Sequence, residues 1–117
     1  MRFFYLVFIL VLFSCTYNEH VPGSVECTML DENPSYDLCI QQIFSESCVG
    51  CHQYGNPSGG LQLQGYDQIY EAVINGDVLN RINLEQNNPL LMPKGNKLSD
   101  LDIYLIEKWV SNGALND

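Results

Sequence analysis

Cys48-Val49-Gly50-Cys51-His52 is the stretch whose residue types and spacing could do the most chemistry. A C-x-x-C-H run is the attachment signature of c-type haem. The spacing follows from the reaction. Two thiols on one helical turn can each add across a porphyrin vinyl group to form a thioether, and the next imidazole then lies under the iron as proximal ligand. A thioredoxin-like thiol pair also uses C-x-x-C, but it needs a βαβ setting and a larger fold than 117 residues allow. Zinc would need two more well-spaced ligands. Cys27 and Cys39 show no knuckle spacing, and adjacent Cys51 and His52 suit a closed tetrahedron poorly. Covalent haem through Cys48 and Cys51, with His52 on the iron, is therefore the expectation.

Iron held by His52 alone would be open on its other face. Met29, Met92, His20 and Lys94 are the candidates to close it. A lone methionine is ordinarily core filler, and Met92 stands apart because it precedes Pro93 in a loop ahead of the last helical segment. The second ring nitrogen of His52 needs an acceptor, for which a carbonyl between Pro57 and Leu63 is the natural source.

Helices must position these groups. Tyr36, Cys39, Ile40, Ile43, Phe44 and Ser47 recur at helical spacing and run into Cys48, behind Asn33-Pro34 as an expected cap and first turn. Tyr54 to Gly65, with Gly55, Pro57, Gly59, Gly60 and Gly65, reads as a loop. Tyr66, Ile69, Tyr70, Val73 and Ile74 form a second apolar face, stopped at Asn75-Gly76. Gly76 to Leu98 looks irregular, because Asn87-Asn88-Pro89 and Pro93 break any helix. Ser99 caps a last helix, with Asp102 as a weak capping-box partner, and Leu101, Leu105, Ile106 and Trp109 make its buried face. Strand alternation is missing, so the fold class is all-α: a small bundle of three main helices.

The amino terminus has a different character. Phe3 to Phe13 is an unbroken apolar run behind Arg2. As a helix it would span only about 16 Å, roughly half a hydrocarbon core, which is the length of a signal-peptide h-region. Leu12-Phe13-Ser14-Cys15 resembles the lipobox of bacterial lipoproteins, with Phe13 a departure from its strictest form. That resemblance implies cleavage before Cys15 and lipidation of Cys15; an ordinary secretory signal is the alternative. The expected division is residues 1–14 as signal peptide, 15–35 as a polar tether and 36–117 as the folded domain.

Composition narrows the partners. The net charge of -9, from 5 Lys+Arg against 14 Asp+Glu, repels phosphate backbones and argues against nucleic-acid binding. Two spare cysteines in an exported chain ordinarily pair, which predicts a Cys27–Cys39 disulfide; a buried free thiol at Cys39 is the alternative. Leu61, Leu63, Ile82, Leu90 and Leu91 are candidate pocket walls or ordinary core. Arg81 is a candidate partner for a haem propionate or a plain surface charge. Lys94 and Lys97 make a possible cationic rim that orients partners.

Residues 36–115 resemble the class I single-haem cytochromes c, most closely the small modules of bacterial lipoproteins and planctomycete-type fusions. The likeness rests on Ile43-Phe44-Ser45-Glu46-Ser47-Cys48-Val49-Gly50-Cys51-His52, on Pro57-Ser58-Gly59-Gly60-Leu61-Gln62-Leu63, on Leu91-Met92-Pro93-Lys94, and on the segment from Leu98 to Ala114. It implies Met92 as the second axial ligand to haem c, on the face opposite His52. Ile40 stands where the family carries a glycine that lets the first and last helices cross closely, which implies a wider crossing here. The resemblance implies a membrane-anchored electron carrier rather than an enzyme, expected as a monomer. It would face the periplasm of a bacterial cell envelope, on the outer membrane, and exchange electrons with redox proteins. Two alternatives remain: a haem-bearing accessory subunit of a larger redox complex, and a peroxidase or gas-binding module with Met92 detached.

Overall fold

Ser35 starts the first helical segment: its backbone is extended, and its Oγ accepts the Leu38 N–H at 3.2 Å. Asn33, expected at that cap, instead accepts a hydrogen bond from the Asn112 side chain at 3.1 Å, and Pro34 is buried. The segment opens as a π-helical turn, Tyr36–Ile40, and continues as helix α1, Gln41–Ser47. A 3-10 turn, Ser58–Gly60, precedes α2, Tyr66–Ile74; α3, Val78–Asn83, and α4, Asp100–Ser111, complete the order. In this computed structural model the described residues are 27 and 32–117. They are about 49% helical and contain no strand, so the described part of the chain is all-α.

Two elements differ from expectation. Helix α3 lies inside the stretch read as irregular. It is only six residues long, with Val78 and Ile82 buried in the core and Leu79 half-buried against it. A helix that short cannot stand alone, and packing against α2 and α4 supplies what its sequence lacks. In α4 the buried face is broader than the stripe expected. Asp102 and Ile103 are buried beside Leu105, Ile106 and Trp109, while Leu101 is only half-buried. Burial of Asp102 is satisfied locally: Ser99 Oγ donates to its carboxylate at 2.7 Å and accepts its N–H at 3.1 Å. In α2, Ile74 is exposed and Ala72 takes a core position.

The core joins the first and last helical segments, as the amphipathic faces require. Trp109 is 1% exposed, its ring centroid 5.9 Å from Tyr36 and 6.3 Å from Tyr66. Tyr36 and Tyr66 meet edge to face at 5.1 Å. Ile40 is fully buried in the same cluster. The carboxyl-terminal residues lock this arrangement. Trp109 Nε1–H donates to the Leu115 carbonyl at 2.9 Å, Tyr66 O–H to the Ala114 carbonyl at 2.8 Å, and Asp37 N–H to the Asp117 carbonyl at 2.9 Å.

Cys27 and residues 32–35, within the segment read as a tether, lie against the helices. Cys27 is 1% exposed and joined to Cys39 on the π-helical turn by a disulfide, Cα to Cα 5.4 Å. Asn112 Nδ2 donates to the Glu32 carbonyl at 3.1 Å, and Lys108 pairs with the Glu32 carboxylate at 3.7 Å. Residues 1–14, read as a signal peptide, and Cys15, His20 and Met29 lie outside the described residues. Among those described, no helix is long and apolar enough to cross a membrane.

Candidate functional site

The site begins where α1 runs out. Cys48 N–H and Val49 N–H both reach the Phe44 carbonyl, at 2.9 and 3.0 Å, so the helix widens into a 6→1 turn as it ends. Cys48 then supplies the next anchor, its carbonyl accepting Cys51 N–H at 3.2 Å and His52 N–H at 3.0 Å. One carbonyl thus gathers both thiols and the imidazole onto a single turn.

The following loop folds back over that turn. Ser58 N–H donates to the Cys51 carbonyl at 2.8 Å and Leu63 N–H to the His52 carbonyl at 2.9 Å. The return needs left-handed backbone at Gly59 (φ 64°) and Gly60 (φ 73°), which residues with a Cβ adopt only at a cost. It delivers the Leu61 carbonyl to His52 Nδ1 at 3.0 Å. A carbonyl can only accept, so Nδ1 carries a proton, and in the neutral ring the lone pair is then on Nε2. Leu61 lies within the span from which an acceptor was expected, and Gly59 and Gly60 decide which carbonyl is used.

The two thiols sit in unlike surroundings. Cys51 is exposed, whereas Cys48 is half-buried against the core. Burial pushes the Cys48 thiol up to about 11. Among the described residues, no three His, Cys, Asp or Glu side chains cluster to cage a metal ion. The donor set suits covalent haem: two free thiols on one turn and a histidine whose Nε2 is held in its ligand tautomer.

Met92 belongs to another element, the loop between α3 and α4. Its side chain is half-buried, the neighbouring Leu91 is buried, and its peptide bond to Pro93 is cis. Met92 N–H donates to the Arg81 carbonyl at 3.2 Å. Arg81, a candidate propionate partner, is engaged within the chain. Its Nε meets Asp77 Oδ2 at 2.6 Å, and its Nη1 donates to the Leu90 carbonyl at 3.3 Å. The Arg81 Nε–H bond, with one from Asn80 to the other Asp77 oxygen, holds the Asp77 carboxyl below its ordinary range. Lys94 is exposed and donates to the Pro89 carbonyl, and Lys97 is half-buried. Of the candidate walls, Leu63, Ile82 and Leu91 are buried, whereas Leu61 and Leu90 are exposed. The Asp77–Arg81 pair has the four-residue spacing of a helical ion pair and would have been visible had α3 been recognised.

No family model, curated protein or solved structure matches this chain.

Proposed function

We propose that the chain is an electron-transfer protein carrying one haem c, bound through Cys48 and Cys51 with His52 and Met92 as axial ligands. The observation that carries this reading is the Cys48–His52 turn, with His52 Nδ1 on the Leu61 carbonyl at 3.0 Å. That contact would turn Nε2 to iron and fix the orientation of the ring. When bound, the haem supplies a one-electron couple, and thioether ligation raises its potential.

The chain's own residues do the rest. Cys48 and Cys51 tie the group to the end of α1. His52 donates Nδ1–H to Leu61, which makes the imidazole a stronger donor through Nε2. Met92 would supply the second ligand to the iron and so keep exogenous molecules off it. An acidic body would favour partners with a cationic face, and lipid at Cys15 would keep the domain at a membrane.

Expression beside a c-type maturation system tests this. The wild type should give a sharp α-band on reduction and, when oxidised, the sulfur-to-iron charge-transfer band at the red end of the visible spectrum. Met92→Ala should keep the haem and lose that band. A spectrum unchanged by Met92→Ala would move the axial role to another residue.

A further inference from the structure

The segment carrying Met92 is stitched together residue by residue. Asn88 Oδ1 accepts Leu90 N–H at 2.9 Å, and the Asn88 carbonyl accepts Leu91 N–H at 3.1 Å. What connects this stitched turn to helix α3 is Arg81, and it does so twice. The Arg81 carbonyl, one of the last four that a helix leaves free, takes the Met92 N–H at 3.2 Å. The Arg81 guanidinium reaches the Leu90 carbonyl at 3.3 Å. Leu90 and Met92, on either side of buried Leu91, are therefore both held by one residue.

The guanidinium is itself aimed. Asp77, one turn earlier, takes Arg81 Nε at 2.6 Å and is steadied by Asn80 Nδ2 at 3.0 Å on its other oxygen. Asp77 stands at the N-cap of α3, yet its side chain makes no capping hydrogen bond. The carboxylate is spent on Arg81 instead. Both side chains are partly exposed, 33% for Arg81 and 58% for Asp77, and an exposed pair adds little to stability. What the pair provides is direction: a planar fork with one tooth on a carboxylate and another on a loop carbonyl.

We propose that Arg81, aimed by Asp77, is the positioning residue for the Met92 thioether, holding it where an external ligand for the iron must compete against a fixed loop. The proposal rests on Met92 being the axial ligand. Its effect is on how firmly the sixth position stays closed, which separates a carrier from a module that admits small molecules.

The test uses the full haem-loaded chain and imidazole as the competing ligand for ferric iron. Loss of one such hydrogen bond should lower the half-displacement concentration about fivefold in Arg81→Met. Amide hydrogen exchange at Met92 should quicken in the same variant. Arg81→Lys, which retains charge for Asp77 but has no planar fork, should recover part of the effect, and Asp77→Asn should fall between. If Arg81→Met melts at a lower temperature while imidazole competition and Met92 exchange match wild type, Arg81 is merely structural and the clamp is wrong. If Met92→Ala leaves the wild-type absorption unchanged, the ligation reading fails and the clamp falls with it. Loss of the sulfur band in Met92→Ala with no effect of Arg81→Met removes the clamp alone.

Discussion

A single backbone acceptor decides what His52 can do. The Leu61 carbonyl fixes the tautomer, and with it which nitrogen faces a ligand. The thiols on the same turn differ by burial, which makes their reactivity a direct probe of the geometry. In the chain before haem attachment, an alkylating reagent near neutral pH should modify exposed Cys51 well before Cys48, whose thiol burial pushes up to about 11. Peptide mapping of the alkylated protein reads the order, and equal rates would contradict the placement of Cys48. Tyr36 gives a second prediction. Its hydroxyl is buried and finds no hydrogen-bond partner among the described residues, so it contributes a desolvation cost with no bond in return. Tyr36→Phe should melt at the same temperature as wild type or higher. A clear drop would mean that the hydroxyl has a partner the structure does not reveal.

At the scale of elements, legibility followed how much each segment depends on its neighbours. Helices α2 and α4 carry long apolar faces, and Ser99 announces the start of α4, so their existence follows from the residues alone. Helix α3 does not, because six residues with one buried pair make no periodic signal. The cap of the first segment shifted from Asn33-Pro34 to Ser35 because Asn33 is drawn to Asn112, a contact across 79 positions that no local pattern reveals. At the candidate site, the Cys48–His52 turn and the span holding the His52 acceptor could be read directly from residue types. The Asp77–Arg81 clamp was hidden with α3. The glycine return is the element whose disruption should matter most to His52. Gly60→Val places a β-branched side chain at φ 73° and should cost about 1–2 kcal/mol. Thermal melting should record that loss, and the His52 ring nitrogen shifts in NMR should show its Nδ1 contact weakened. A variant with wild-type stability and ring shifts would show that the turn is not what presents Leu61.

For the whole molecule, the disulfide and the acidic charge describe how the domain is held and what it meets. Cys27 and Cys39 close a loop of sequence separation 12, worth about 3 kcal/mol by chain entropy. Reduction, or Cys27→Ser with Cys39→Ser, should lower the melting temperature. An unchanged melting temperature would make the link incidental. The proposed lipidation of Cys15 makes a further prediction. The wild type should partition into detergent, and Cys15→Ala should move to the aqueous phase. Equal partitioning of both into water would describe a freely diffusing protein.

Covalent attachment is the central claim, and acid–acetone extraction of the protein matured with haem measures it most directly. The account predicts that the haem stays with the wild-type polypeptide. It also predicts weaker retention in Cys48→Ala and Cys51→Ala, and no normal assembly in His52→Ala. Haem recovered intact in the organic phase from the wild type would contradict it.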